Sequence, residues 1–273
     1  MVVPTSNRAD YLEVTLRSLA EQDIDRPYEV IAVDDGSRDR TPEVIAAAGV
    51  RSIRHDTPQG PNAGRNEGIA AAQADLIALV DDDTWIPPTW LRAMVDGAER
   101  HPEGGAYGGP IRARLEGPAP RACGREEPPI TSLDLGRDDR EAELVWSANM
   151  ALRRAAFDRV GPFDERFTTG GDEEDWIRRL HAGGGRVVYL ADAWLDHRRA
   201  GDDARLRSLM RSAYRRGRNM RAYDGMRGVQ PALGRELRVL AGCGWHTVRR
   251  GCPQGLVMGA HSAGRLVEAV RPR

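Results

Sequence analysis

The chain of 273 residues contains no lysine, so all 40 of its Lys+Arg positions are arginine. With abundant alanine and glycine, this bias points to a GC-rich bacterial genome rather than to a function. Cysteine is scarce as well. Cys123, Cys243 and Cys252 are scattered without a CxxC pair, which argues against a disulfide framework or a zinc site and for a reducing compartment. Long apolar runs are missing: none approaches the roughly 18–20 residues of a membrane span. No basic n-region precedes an apolar h-region, so the expected location is cytoplasmic. With 40% hydrophobic and 30% charged residues, the composition is that of a soluble globular protein.

The net charge of −1 hides an asymmetry. Residues 198–273 hold 17 arginines against 5 acids, a balance of +12, and residues 1–197 hold 23 against 36, a balance of −13. An acidic body offers carboxylates to a metal. A basic tail offers arginines to phosphate or to an anionic membrane.

The first hundred residues alternate strand and helix signals. Met1–Val3 is a short apolar strand stopped by Pro4, and Tyr11, Leu12, Leu16 and Leu19 share a helix face. Val30–Val33 forms a buried-strand pattern running into Asp34-Asp35-Gly36-Ser37. Thr41-Pro42 supplies an N-cap and an N1 proline for a helix that Gly49 closes. A strand over Arg51–Arg54, a helix over Gly64–Ala74 and a strand over Leu76–Val80 follow, the last ending in Asp81-Asp82-Asp83. This order predicts a doubly wound, mostly parallel α/β sheet, whose ligands bind at the carboxyl edge of its strands. Three strands there end in polar groups, so residues distant in the chain converge on one rim. The stretch Arg112–Glu143 is rich in Pro, Gly, Arg and Glu and predicts a long mobile loop. Beyond it come order over Leu144–Leu152, a short helix near Ala155–Val160, a Gly-rich turn at Thr169–Gly171, a helix over Asp172–Ala182 and a strand over Val187–Leu190. In the tail, Leu206, Leu209, Met210, Ala213, Tyr214 and Gly217 fall at helical spacing among arginines.

Several of these residues have the chemistry of a site. Asp81 and Asp83 form a D-x-D after a buried strand, where two carboxylates can lean toward one hard divalent cation; a solvated acidic turn has the same look. Asp34 or Asp35 can accept from a pyrimidine or bind ribose hydroxyls, or simply cap the next helix. The planar fork of Arg65 suits phosphate oxygens. Asp172-Glu173-Glu174-Asp175 complements a helix N-terminus, but four acids exceed what a cap needs. Glu173 shares a face with Ile177 and Leu180, which turns it inward as a candidate general base. His197 is a lone histidine that gains weight only from these other signals.

Together these segments resemble the family 2 glycosyltransferases of the GT-A fold. The likeness covers about residues 1–200 through VVPTSNRADYLEVTLRSLAEQ, VIAVDDGSRDRT, AGRNEGIAAAQADLIALVDDDTWIPPTWL, NMALRRAAFDRVGPFDERF and GGDEEDWIRRLHAGG, in the family's order. Each motif is loose, but five in sequence are specific. The resemblance implies that Pro4, Thr5, Asp34 and Asp35 surround the nucleotide base and ribose, with Arg65 and Asp82 nearby. It implies Asp81, Asp83 and His197 as the site of a Mn²⁺ or Mg²⁺ ion, with Asp83 the more direct ligand. It also implies Glu173 as the base of an inverting transfer. Because glutamate stands where the family usually has aspartate, Glu174 and Asp172 stay open as alternatives.

The expected enzyme is a hexosyltransferase using a UDP-, GDP- or dTDP-sugar and a glycan, lipid-linked or small-molecule acceptor, with no nucleic acid partner. The expected layout is a GT-A domain over 1–200, with a nucleotide-binding half to 110 and an acceptor-binding half from 111. A helical extension over 201–273 is expected to pack the apolar face of its first helix on the catalytic domain, with its arginines in solvent. The sharper alternatives lay it against the inner face of an anionic membrane, or present Arg218 to donor or acceptor. Only three residues precede Pro4, so the first strand is expected to be short and the native start to lie upstream. The rivals are a sugar-phosphate nucleotidyltransferase and a non-catalytic nucleotide-sugar-binding protein. Against the first, Pro4–Asn7 stands where those enzymes carry a Gly-rich basic loop.

Overall fold

The computed structural model describes residues 1–121, 123, 129–167 and 171–271. They divide into two compact units: one of residues 1–112, 132–168 and 172–197, the other of 113–131, 169–171 and 198–273.

The first unit opens with β1 (Val2–Thr5), α1 (Ala9–Ala20), β2 (Ile31–Asp34), α2 (Thr41–Ala48), β3 (Arg51–Arg54), α3 (Pro61–Ala71) and β4 (Leu76–Val80). It continues through β5 (Thr84–Trp85), α4 (Trp90–Arg100), β6 (Gly104–Gly108) and the start of β7 (Ile111–Glu116). After β8 (Arg140–Glu141) come β9 (Asn149–Arg153), α5 (Arg154–Val160), α6 (Asp172–Ala182), β10 (Arg186–Tyr189) and the first half of β11 (Leu195–Ala200). The main sheet runs β3-β2-β1-β4-β9-β6-β10-β8. Strands β3, β2, β1 and β4 are mutually parallel, and β9 is antiparallel to both β4 and β6.

Helices cover both faces of this sheet, as the alternation of strand side chains requires. Val3, Ala32 and Val80 meet Leu12, Leu16 and Leu19 of α1 and Trp90 and Met94 of α4 on one face. Val2, Ile31, Val33 and Leu79 meet Ile69 of α3 and Trp176, Ile177 and Leu180 of α6 on the other. Leu12 and Leu19 are fully buried, each contributing about 2 kcal/mol by leaving water. Helix α3 packs closely on β1 at Gly68, where an added Cβ would lie 2.2 Å from a methyl of Val2.

Three sequence expectations change here. Pro4 lies inside β1 instead of ending it, because its fixed φ suits extended backbone and pairing with β2 continues to Thr5↔Asp34. Thr41 is the first residue of α2 and Arg40 its N-cap; the Asp39 carboxylate just ahead accepts from the Thr41 backbone N–H at 3.0 Å and from the Thr41 hydroxyl at 2.6 Å. The stretch Arg112–Glu143 carries strand at both ends, in β7 and β8. Residues 122 and 124–128 of the expected loop, and Thr169 and Gly170 of the expected turn, lie outside the described residues.

The second unit holds α7 (Leu206–Met226), α8 (Leu233–Arg250) and α9 (Gln254–Ala269). The apolar face expected on α7 is taken up within this unit: Leu209 and Ala213 are buried with Val257 of α9 and Ile130. Gly217 and Gly264 let α7 and α9 touch backbone to backbone. Arg218 is ion-paired with Glu268 of α9, at 2.9 Å through Nε and 2.8 Å through Nη2. No helix among the described residues is long and apolar enough to cross a membrane.

Candidate active site

The parallel strands β2, β1 and β4 bring three chain segments to one rim of the first unit. The register Val2↔Leu79 sets Thr5 beside the acidic turn, and its hydroxyl donates to Asp82 Oδ2 at 2.7 Å across 77 residues of chain. The Asp82 and Thr84 carbonyls both accept from Thr15 of α1, at 2.8 and 2.9 Å, which ties the turn to a buried helix. At the end of β2, Asp35 accepts from the Gln59 and Gly60 backbone N–H groups at 2.7 and 2.9 Å and pairs with His55 at 2.7 Å. Asp34 caps the Ser37 N–H at 2.9 Å and is ion-paired with Arg54. Gly36, at φ +69°, makes the intervening turn, where a Cβ would press on Pro58 at 3.1 Å. Asn7 sits at φ +53° and locks the β1 and β2 loops together through Ser37 and the Arg38 N–H, both at 2.8 Å.

Antiparallel pairing supplies the rest. His197↔Thr84 in the β11–β5 ladder carries a residue more than a hundred positions away to the acidic turn. Asp81, Asp83 and His197 thereby offer one ligand atom each within 4.8 Å of one another, with His197 Nε2 at 3.2 Å from Asp83 Oδ1. Val80↔Asn149 in the β4–β9 ladder puts Ser147 at the same edge. The Ser147 N–H and hydroxyl both donate to Glu173 Oε1, at 3.2 and 2.6 Å.

Helices α3 and α6 meet at Arg65. Its Nη1 donates to Asn62 at 2.8 Å and to Asp172 at 2.6 Å, and its Nη2 to Asp81 at 3.2 Å. One buried guanidinium thus spans the D-x-D and the acidic start of α6. Asn62 and Asn66 tie α3 to the GPFDERF segment ahead of α6: Asn62 donates to the Asp164 and Phe167 carbonyls, and Asn66 both donates to and accepts from Phe163. Trp176 stacks on Phe163 with centroids 5.6 Å apart and donates to the Gly161 carbonyl at 2.9 Å, which sets the phase of α6. That phase turns Asp172, Glu173 and Asp175 inward and leaves Glu174 half-buried. Asp175 is engaged by Arg178 and Arg179 at 2.5 and 2.9 Å.

The electrostatics follow from packing many acids into little water. Burial, reinforced by Asp83, pushes Asp82 up to about 7 against the opposing pull of Arg8, and burial likewise raises Asp81 despite Arg65. Asp172 is held well above the usual carboxylate range by burial and by the charge of Glu173. Glu173 goes the other way: burial is outweighed by Arg65, Asp172 and Ser147, and it stays ionised. Arg8 pairs with Asp83 at 2.8 Å and lies over Tyr11 at 4.5 Å. Two carboxylates and an imidazole at one point, in a rim with more buried acids than cations, fit a divalent cation by donor chemistry and by charge.

Arg8, His55, Asn62 and Ser147 were not singled out from the sequence. Arg8 stands inside a quoted motif, Asn62 lies one residue before AGRNEG, and Ser147 lies two residues before NMALRR. For His55 there was no signal beyond an isolated histidine after a strand.

Residues 1–161 match the Glycosyl transferase family 2 profile. The pre-mycofactocin glycosyltransferase of Mycobacterium tuberculosis H37Rv is 33% identical over 208 residues, covering 72% of this chain and 42% of its own. Validoxylamine A glucosyltransferase of Streptomyces hygroscopicus subsp. jinggangensis is 29% identical over 226 residues, covering 71% and 54%. The chain thus spans about half the length of these curated relatives. Among solved structures, the mannosyltransferase PcManGT of Pyrobaculum calidifontis, in complex with GDP-Man and Mn²⁺, superposes with a TM-score of 0.60 at 17% identity, over 97% of this chain and 68% of that one. S. aureus TarS 1-349 with UDP-GlcNAc does so at 0.56 and 20%, over 80% and 64%. These two likenesses concern the fold. With the family profile covering more than half of its length, the chain belongs to glycosyl transferase family 2 and has the GT-A fold.

Proposed function

We propose that this chain transfers a sugar from a UDP-, GDP- or dTDP-sugar to an acceptor hydroxyl, in a metal-dependent displacement that inverts the anomeric carbon. The observation that carries the reading is the joining, through Arg65, of the Asp81/Asp83/His197 cluster to the acidic start of α6, where Glu173 stays ionised. Asp81, Asp83 and His197 would hold the ion, and the imidazole favours Mn²⁺ over Mg²⁺. Such an ion supplies positive charge to the leaving diphosphate. Pro4, Thr5, Asp34 and Asp35 would line the base and ribose at the ends of β1 and β2. Arg65 has both terminal nitrogens engaged by the site, so its role is to position Asp81 and keep Glu173 ionised.

Glu173 is the residue we assign to take the acceptor proton. Asp172 is bound to Arg65 and raised, Asp175 is held by two arginines, and Glu174 has no inward phase. Ser147 aims Glu173 through two hydrogen bonds to one oxygen. A thermal-shift panel of nucleoside diphosphates with and without Mn²⁺ tests the reading, since a ligand that binds only the folded state raises Tm. One diphosphate should raise Tm with Mn²⁺ and much less without it. No response across UDP, GDP and dTDP would overturn the donor assignment. Hydrolysis of the matching nucleotide-sugar separates an enzyme from a binding protein.

For the acceptor, α8 favours a lipid-linked molecule. Leu237, Trp245 and Val248 lie along one face, 57%, 68% and 82% exposed, with Arg235, Arg238, Arg249 and Arg250 also exposed. An apolar stripe flanked by arginines suits an anionic membrane surface, to which each arginine adds about 1 kcal/mol. Co-sedimentation with phosphatidylglycerol vesicles should be salt-sensitive and be lost in Trp245→Glu. No binding at low salt would remove this part of the reading.

A further inference from the structure

The second unit gathers three groups that the chain keeps far apart. Cys123, His246 and Cys252 each present a ligand atom within 4.8 Å of the others, and Cys123 Sγ lies 3.4 Å from His246 Nε2. Two of the three are set by the turn between α8 and α9. His246 stands on the last turns of α8, which Gly251 closes at φ +58°. The Cys252 N–H donates to the Thr247 carbonyl at 3.2 Å, and its carbonyl accepts from Gly255 at the start of α9, also at 3.2 Å. Cys252 is buried, with its Sγ 3.9 Å from the Arg121 carbonyl, so it faces the segment that carries Cys123. The third cysteine, Cys243, is buried on α8 and takes no part in the cluster.

We propose that Cys123, His246 and Cys252 form a zinc site, distinct in chemistry from the Asp81/Asp83/His197 set. Around a tetrahedral zinc with bonds of about 2.3 Å to sulfur and about 2.0 Å to nitrogen, neighbouring ligand atoms stand roughly 3.5–3.8 Å apart. The observed separations need only small side-chain movements to reach that arrangement. A disulfide between the two cysteines would leave the aimed imidazole without a purpose, whereas a metal uses all three groups. Two thiolates and an imidazole select a thiophilic ion; the carboxylate-rich cluster selects a hard one. Loading releases the two thiol protons to solvent and leaves a fourth position for water or an external ligand. The ion fastens Cys123 to the turn between α8 and α9 of its own unit.

Cobalt(II) titration of the full chain, purified reduced and metal-free, tests this. One equivalent should produce a thiolate-to-cobalt charge-transfer band that Zn²⁺ abolishes and Mg²⁺ does not. The band should vanish in Cys123→Ser and Cys252→Ser, and persist in Cys243→Ser and Asp83→Ala. Should Cys252→Ser fail to fold, His246→Gln, at a half-exposed position, serves instead by weakening cobalt affinity at least tenfold. Absence of the band in the wild type, or its persistence in these ligand variants, would overturn the site. So would a Cys123–Cys252 disulfide found by mass mapping in protein purified without reductant and free of zinc.

Discussion

Replacing Ser147 with alanine removes one hydroxyl and probes the assignment of the base. In the wild type that hydroxyl donates to Glu173 Oε1 at 2.6 Å, and the backbone N–H of the same residue donates at 3.2 Å, so the variant keeps the weaker of the two. A hydrogen bond to a charged group is worth about 1.5–3 kcal/mol, and one pKa unit corresponds to about 1.4 kcal/mol. Glu173 should therefore rise from its lowered starting point, with Arg65 and Asp172 unchanged around it. The sign follows from the role: a base works when ionised, so a raised pKa moves the acid limb of the kcat profile to higher pH. Below both limbs the variant should be slower by about 10- to 100-fold, and near neutral pH by much less. Turnover at saturating donor and acceptor, measured across the acid limb, gives the answer, and Ser147→Thr should restore the profile. A profile that superimposes on the wild type, or a loss equal at every pH, would refute the coupling of Ser147 to the catalytic proton.

Glu173→Gln should keep donor binding and lose transfer by roughly two to four orders of magnitude, while Glu174→Gln stays within a few-fold; the reverse pattern in single-turnover assays would move the base by one residue. His55 is raised above its ordinary value because Asp35 and Glu67 outweigh its burial. Its contribution to stability is therefore present below the unfolded value near 6.5 and lost as pH rises through the folded one. His55→Gln should lower Tm more at pH 6 than at pH 9, and equal losses would contradict the charged triad. Gly68→Ala should cost about 1–3 kcal/mol in denaturant unfolding, because the new methyl meets the fully buried Val2 at 2.2 Å; a neutral effect would mean that α3 can retreat from β1.

The pattern of elements was legible where it rested on local chemistry. Leu76–Val80 is β4 and Asp172–Ala182 is α6, bounds that a continuous apolar run and an acidic first turn already marked. The inward phase of Glu173 followed from its spacing to Ile177 and Leu180. What stayed hidden depends on pairing across long stretches of chain. His197 meets Asp83 only because β11 pairs with β5, and Ser147 reaches Glu173 only because β9 runs antiparallel to β4. Arg65 has the composition of a phosphate ligand, yet burial between Asp81 and Asp172 commits it to carboxylates. The apolar face of α7, expected to pack on the catalytic domain, is taken up by α9 within its own unit, whereas α8, which drew no notice in sequence, leaves its apolar stripe in water. The zinc ligands follow the same logic: residues 123 and 246 share no local pattern.

The central claim is that this rim binds a nucleoside diphosphate through a divalent cation held by Asp81, Asp83 and His197. Calorimetric titration of the diphosphate selected by the thermal-shift panel, in Mn²⁺ and then in EDTA, tests it in the wild type and in Asp83→Ala. The account predicts binding at least about tenfold tighter with Mn²⁺, a gain of about 1.4 kcal/mol or more, and loss of that gain in a variant that still melts cooperatively. Equal affinity in Mn²⁺ and EDTA for the wild type, or an undiminished gain in Asp83→Ala, would contradict it.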